Sequence, residues 1–130
     1  MANRITLGNI SELFLVALTG RRLANMETDQ VRWELGLGTV PFEGDRLNLQ
    51  VNSNIKAVGN DGTKEDALYE ATISFHVRLS EPFEPEQQPE IAAAVWPYLR
   101  AGLLEHVNRF QIPAPKFPFE LDPAQIQQQQ

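Results

Sequence analysis

Residues 89–110 read PEIAAAVWPYLRAGLLEHVNRF, and this stretch decides the fold. Its apolar side chains recur at close to helical spacing, at Ile91, Val95, Leu99, Leu103 and Val107. Pro89 suits the first turn of a helix, because its missing N–H is not needed there. No other segment is both long enough and apolar enough for a substantial helix. The pattern therefore predicts one long helix over residues 90–110 that covers a sheet.

Two features of this helix go beyond a simple amphipathic pattern. Pro97 falls in its middle, where proline kinks a helix or marks the start of its second part. Ala94, Tyr98 and Ala101 lie off the main apolar stripe, so the apolar band is unusually wide. A helix that is apolar most of the way round is buried on more than one side. We expect it to pack on its own sheet and also on another subunit.

The residues before this helix have the pattern of strands. Leu13–Leu18 is a continuous apolar run, which is typical of a strand buried on both faces or of part of a helix, and we favour the strand. Residues 31–37, 46–58 and 68–80 each alternate between apolar and polar side chains. The loop at residues 59–66 suits a hairpin because it is polar and contains glycine. Together these patterns predict an antiparallel sheet with one face in water.

The predicted fold class is therefore α+β, a four-stranded antiparallel sheet followed by one long helix and a short C-terminal helix or tail. With 130 residues, the chain is expected to form one domain. Its parts are a sheet at residues 5–80, a proline-rich crossing loop at 81–89, the long helix at 90–110 and an extended segment at 111–130. Asp122 is suited to cap a final short helix before the glutamine-rich tail.

Composition limits the possible partners and location. The formal net charge of -6 disfavours nucleic acid and anionic membrane, since both select a basic surface. The chain has no cysteine, which excludes disulfides and thiolate chemistry. No segment approaches the roughly 20 apolar residues that a membrane span requires. We expect a cytoplasmic protein that does not insert into membranes.

The sequence offers little for catalysis. Its two histidines, His76 and His106, fall on the polar face of a strand and near the end of the helix, and neither belongs to a cluster of metal ligands. The paired carboxylates of Glu65 and Asp66 lie in a polar loop. There is no glycine-rich phosphate loop with a placed lysine. We expect no enzyme, no metal and no cofactor, but a binding or assembly module.

The helix motif Trp96-Pro97-Tyr98-Leu99-Arg100, followed by Val107-Asn108-Arg109 and a proline-rich exit that ends in Phe119, resembles the SecB export chaperones. The order of elements also agrees, with four strands, a crossing loop, a long helix and an extended connection. The resemblance implies an ATP-independent holdase that binds unfolded polypeptides or preproteins in apolar grooves and passes them to SecA. It also implies a homo-oligomer, in which subunits pair and two pairs stack through their long helices as a dimer of dimers.

The resemblance further implies a partner site. The family carries an outward-facing Leu-x-Glu on its last strand that meets a basic segment of SecA, and Leu68 and Glu70 have that pattern here. The family has acidic residues on its first strand, but the corresponding positions of this chain fall among the apolar residues 13–16. The family also has a glycine after the long helix, where this chain has Phe110. SecB-like chaperones that control toxin–antitoxin pairs are an alternative, with an antitoxin as partner. A non-chaperone oligomeric adaptor subunit is another.

Two sets of site residues are predicted on this basis. Contacts with clients are expected from apolar and aromatic residues near the helix and the crossing loop, namely Trp33, Phe42, Phe83, Trp96 and Tyr98. The oligomer interface is expected on the long helix, at Val95, Leu99, Leu103 and Val107.

Overall fold

A computed structural model describes residues 5–25, 28, 30–110 and 116–118. A short 3-10 turn, Leu7–Asn9, leads into four strands: β1 (Ile10–Arg22), β2 (Val31–Pro41), β3 (Asn48–Asn60) and β4 (Glu65–Leu79). A second 3-10 turn, Pro85–Gln87, leads directly into helix α1 (Gln88–Arg109). The predicted antiparallel sheet followed by one long helix is confirmed. The short helix predicted from Asp122 lies outside the described residues.

The strands form one antiparallel sheet in the order β1-β4-β3-β2. The turn between β3 and β4 is fixed by Asp61, whose carboxylate accepts hydrogen bonds from the amides of Thr63 and Lys64 and from the Thr63 hydroxyl. Gly62 in this turn has φ +95°, a conformation that favours glycine. β1 and β2 are the two edge strands, each paired on one side only within the described part of the chain.

Alternation along the strands gives the sheet an inner face, towards α1, and an outer face. The inner residues of the central strands are almost completely buried, as shown by Leu49, Val51, Ile55, Ile73 and Val77. Residues on the outer face are mostly polar, because side chains that alternate along a strand leave every second position in water. The sheet therefore has a solvent-facing outer side, as the alternating pattern predicts.

Helix α1 is continuous through Pro97, and Pro89 lies in its first turn as predicted. It packs over β4, β2 and β3. Its start is fixed by a buried polar contact, in which the hydroxyl of Thr39 donates to the side-chain oxygen of Gln88 at 2.7 Å. Gly102 lies where an added Cβ would come 2.6 Å from the Cδ1 of Ile73, so the helix backbone approaches β4 closely at this point.

The structure corrects the prediction for β1. The run Leu13–Leu18 forms a strand, but one at the edge of the sheet, with irregular pairing to β4 between Leu15 and Ala17. Phe14, Leu15 and Val16 are 51%, 49% and 48% exposed, so the strand is not buried on both faces. The continuous apolar run arises because consecutive residues lie on an uncovered edge.

A second correction concerns Leu68. The pairing of β3 with β4 shifts between Ala57 and Val58, and Leu68 is the extra residue on β4 at that point. Both Leu68 and the next residue, Tyr69, are therefore buried. Leu68 fits against Gly59, where a side chain would come within 2.6 Å of the Leu68 Cδ1 atom. Leu68 belongs to the core and does not face outward.

Gly20 allows the end of α1 to reach β1. A Cβ at this position would lie 2.2 Å from the Cε1 atom of the His106 ring. We predict that Gly20→Ala lowers the free energy of unfolding by about 1–3 kcal/mol, because the imidazole must move out of a packed position. Strand propensity alone predicts the opposite sign, since alanine is preferred to glycine in a strand.

The measurement is the free energy of unfolding in urea. Gly8→Ala is the matched control, because a Cβ at Gly8 makes only an ordinary contact with the Thr6 hydroxyl at 3.5 Å, and we expect a change within about 0.5 kcal/mol. A Gly20→Ala variant as stable as the parent protein would show that His106 does not need this space.

Candidate functional site

The two tryptophans of the chain lie on elements that pack together, Trp33 on β2 and Trp96 on α1. Trp33 projects from the inner face of β2, and Trp96 comes from the buried side of α1. The ring of Phe117 lies between them, edge-on to both, with ring centroids 6.0 Å from Trp33 and 6.1 Å from Trp96. We call Trp33, Trp96 and the space between them the aromatic cleft. Edge-to-face rings at this separation attract one another beyond their simple apolar burial.

The backbone of the same segment is bound as well. The indole N–H of Trp96 donates to the carbonyl of Pro118 at 2.8 Å, and Arg100 Nε donates to the carbonyl of Phe117 at 3.4 Å. Residues 116–118 carry no helix or strand hydrogen bonding of their own. The aromatic cleft therefore holds an irregular backbone segment by one aromatic side chain and two carbonyl groups.

A second group of rings continues from Trp33 along the inner face. Trp33, Ala57 and Tyr69 are cross-strand partners on β2, β3 and β4, and the small Ala57 lets the two rings approach edge-on at 6.2 Å. Tyr69 then contacts Phe110 and His106, which stack on each other with centroids 5.0 Å apart. These contacts support one wall of the aromatic cleft.

Within this group the Tyr69 hydroxyl and the Nδ1 atom of His106 form a hydrogen bond. Burial raises the pKa of Tyr69 to about 12. Burial, followed by the charge of Arg109, lowers the pKa of His106 below its usual value. Both shifts favour the neutral forms, so the phenol donates and the neutral imidazole accepts. The pair ties the end of α1 to β4 without a buried charge.

The outer face of the sheet carries a separate aromatic group. His76 is stacked between Phe14, at 4.8 Å, and Phe42, at 5.8 Å, and its Nε2 atom is 2.9 Å from the side-chain oxygen of Asn48. Phe42 is 40% exposed. This group lies across the sheet from the aromatic cleft, so Phe42 does not join the other predicted client-binding residues.

The remaining predicted client-binding residues divide by burial. Phe83 is 3% exposed and Trp96 has no exposed area, whereas Trp33 is partly exposed and Tyr98 is 47% exposed. The structure brings Trp33 and Trp96 together in one cleft. Phe83 instead packs within the core, and its carbonyl accepts a hydrogen bond from Arg46.

The predicted interface residues on the helix are fully buried, as is shown by zero exposure for Val95, Leu99, Leu103 and Val107. They pack against the chain's own sheet, which leaves them no surface for another subunit. This corrects the prediction, which assigned one set of side chains to both tasks. Among the exposed large apolar residues, Phe14, Leu15 and Val16 are consecutive on β1.

The predicted partner residue Glu70 already has a basic partner within the chain. Its carboxylate accepts a hydrogen bond from Arg21 Nε at 2.8 Å, across the β1–β4 pair. In the sheet register the same row continues from Glu70 to Lys56 and then to Glu34, so charges alternate across all four strands. A basic segment would have to compete with two cations of the chain itself.

Among the residues that the structure describes, no group of three or more His, Cys, Asp or Glu side chains is close enough to hold a metal ion. The strongest carboxylate shift is at Asp61, where hydrogen bonds from Thr63 and Lys64 lower the pKa to about 2. That carboxylate serves the β3–β4 turn. No helix in the described residues is long and apolar enough to cross a membrane.

Sequence reasoning missed the main contact of the cleft. The sequence predicts only an extended, proline-rich segment around Phe117, and nothing in a single sequence states which surface such a segment contacts. A usable signal was present in the neighbouring prolines, which keep the backbone extended, together with two tryptophans on elements predicted to pack together.

No family model and no curated protein sequence matches this chain. Among solved structures it is similar to Rv1957, a Mycobacterium tuberculosis SecB-like chaperone in complex with a ChAD peptide from the Rv1956 HigA1 antitoxin. That match has 17% identity, covers 85% of each chain and has a TM-score of 0.47. A protein of unknown function from Streptococcus agalactiae matches at 14% identity over 85% of this chain and 95% of that chain, with a TM-score of 0.33.

We predict that stability falls on mild acidification because of His106. Its pKa is lowered in the folded protein, whereas the unfolded chain keeps the usual value of 6.5. Between these two values the unfolded chain binds more protons, so acid favours unfolding. The contribution is fully present above the unfolded value and is lost as the pH falls through 6.5 towards the folded pKa.

The measurement is the free energy of unfolding at about pH 7.5 and about pH 5.5. His106→Gln should flatten this dependence, because glutamine does not titrate. The pKa values of Asp45 and Asp61 are lowered, so these carboxylates stay ionised at both pH values and do not affect the comparison between them. An unchanged dependence in His106→Gln would contradict the assignment.

Proposed function

We propose that this chain is an ATP-independent chaperone, a holdase that binds extended apolar segments of unfolded polypeptides in the aromatic cleft. The single observation that carries this proposal is the way the cleft holds residues 116–118. It binds an aromatic ring between Trp33 and Trp96 and donates a hydrogen bond from Trp96 to a backbone carbonyl group. These contacts are available to any extended segment that has an aromatic residue.

The chemistry of the cleft suits many sequences. The two indole rings favour an aromatic side chain through edge-to-face contacts. Apolar burial is otherwise non-directional, so the cleft tolerates neighbouring residues of different shapes. The N–H of Trp96 recognises a carbonyl, which every residue possesses. A site with these properties gives modest affinity and broad selection, which is what a holdase needs. The resemblance of the helix motif to SecB chaperones supports the same function.

Self-association is the second part of the proposal. β1 is an edge strand, and Phe14, Leu15 and Val16 on it are each about half exposed. An exposed apolar edge strand is a template for pairing with another strand. We infer that two copies pair along β1, which would join their sheets. This interface replaces the buried helix residues, and a dimer of dimers would need a second, separate contact.

The candidate partners are SecA and an antitoxin. Delivery to SecA through Leu68 and Glu70 is disfavoured, because Leu68 is buried and Glu70 already pairs with Arg21. In a toxin–antitoxin system, an extended segment of the antitoxin would be the client of the same cleft. The exposed β1 edge also supports the second candidate, an oligomeric adaptor subunit that binds no unfolded chain.

We predict that the protein delays aggregation of a client such as citrate synthase diluted from denaturant, and that Trp33→Ala weakens this activity. Loss of a partly exposed aromatic anchor should raise the concentration required for half protection by roughly tenfold, about 1.4 kcal/mol. Light scattering of the client follows the aggregation. Trp33 is the better choice for substitution, since Trp96 is fully buried and contributes to the core.

Phe42→Ala is the matched control, because Phe42 is exposed and aromatic but lies on the outer face of the sheet. It should protect the client as well as the parent protein does. If the parent protein gave no protection at stoichiometric amounts, the holdase proposal would be wrong and the adaptor would be favoured. Equal loss in both variants would place the client site elsewhere.

We predict that the protein is at least a dimer in solution and that Val16→Lys makes it a monomer, because a lysine on this edge brings two like charges together. Light scattering after size-exclusion chromatography measures the mass. Leu35→Lys is the control, since Leu35 is 37% exposed on the other edge strand, β2. Dissociation by Leu35→Lys alone would place the interface on β2.

A further inference from the structure

The segment at residues 116–118, which we call the strap, occupies the cleft with one deeply placed side chain. Phe117 is only 7% exposed, whereas its neighbours Lys116 and Pro118 are exposed to solvent. The contacts of the strap are thus concentrated in one ring and two carbonyl groups. A segment held in this way can leave without breaking a hydrogen bond of the strands or the helix backbone, because its carbonyls accept from the side chains of Trp96 and Arg100.

None of these contacts requires that the bound segment belong to the same chain. The slot between Trp33 and Trp96 recognises an aromatic ring, and Trp96 Nε1 and Arg100 Nε recognise backbone carbonyls. A client segment with an aromatic residue would make the same contacts at the same atoms. Both segments cannot occupy the cleft at once, because one phenyl ring fills the space between the two indoles.

We propose that the strap is a built-in competitive ligand, which Phe117 anchors in the client site and which an extended aromatic-containing polypeptide must displace. This inference rests on the proposed function and adds its regulation. A tethered ligand is present at an effective concentration on the order of millimolar. Weakly binding segments are therefore kept out, and the cleft opens only to a client that adds contacts beyond the single aromatic ring.

The first experiment uses the full chain and a fluorescent peptide that copies residues 113–118, Pro-Ala-Pro-Lys-Phe-Pro. Phe117→Ala empties the slot, so the variant should bind this peptide at least about tenfold more tightly than the parent protein does, by fluorescence anisotropy. A peptide with alanine in place of its phenylalanine should bind neither protein. Equal affinity of the peptide for the two proteins would overturn the proposal.

Phe83→Ala is the matched control for the loss of a buried phenyl ring. Phe83 is as buried as Phe117 but packs outside the cleft, so the variant should bind the peptide only as weakly as the parent protein does. A similar gain in Phe83→Ala would mean that loosening of the core, and not an emptied slot, admits the peptide. That result would also overturn the proposal.

A second measurement needs no substitution and remains valid if Phe117→Ala does not fold. The chain has two tryptophans, so its proton–nitrogen spectrum contains two indole N–H signals. Saturating the parent protein with reduced, carboxymethylated α-lactalbumin should shift the Trp96 indole signal, because its acceptor changes from the Pro118 carbonyl to a client carbonyl. A client that binds while this signal stays unchanged would contradict displacement of the strap.

Binding of the same carboxymethylated α-lactalbumin also separates this inference from the proposed function. If it binds the parent protein and Phe117→Ala with equal affinity, the strap is not a competitor, while the holdase proposal stands. If it binds neither protein although the short peptide binds Phe117→Ala, the strap is displaceable but the holdase proposal fails. If it binds Phe117→Ala about tenfold more tightly, both are supported.

Discussion

The constraint on which the structure depends is that one helix must cover the apolar face of four strands. Neighbouring strands are about 4.8 Å apart, so four of them with their side chains are roughly 19 Å wide. A helix with its side chains is about 10–12 Å across. Helix α1 buries Val95, Leu99 and Leu103 completely against the sheet. It cannot also cover both edges, and the rest of the molecule follows from what happens at β1 and β2.

The two edges are treated differently. On the β2 side, Phe117 fills the space beside Trp96 and completes the core. On the β1 side, Phe14, Leu15 and Val16 remain about half exposed. One region that α1 leaves uncovered is thus occupied by an irregular segment of the same chain, and the other is open. This difference is the physical basis for proposing client binding at the first region and self-association at the second.

The sequence was sufficient to predict the strands and the helix, but not which of their faces are buried. Alternation along residues 46–58 and 68–80 identified the two central strands, because a strand with one buried face has a period of two. At Leu13–Leu18 the strand is confirmed but its expected burial was wrong, because an exposed edge strand can have the same apolar composition as a buried one. The same reasoning failed at Leu68, since a bulge reverses the alternation and a single sequence does not mark it.

The candidate site was predicted only in part. Trp33 and Trp96 were both named, and they meet in the aromatic cleft. Phe117 was not connected with them, because a contact between residues far apart in the chain depends on the path of an irregular segment. The interface assignment was wrong for a related reason. The helical period identifies which side chains are buried, but it does not state whether the chain's own sheet or a partner buries them.

The central claim is that unfolded chains bind between Trp33 and Trp96. Since these are the only two tryptophans in the sequence, intrinsic fluorescence reports on the cleft alone. The direct measurement is the quenching of this fluorescence by an unfolded client labelled with a nitroxide beside a phenylalanine. Binding between the two indoles should quench the fluorescence strongly, and the quenching should saturate together with client binding, as followed by the mobility of the label. Complete binding of the client with unchanged tryptophan fluorescence would contradict the claim.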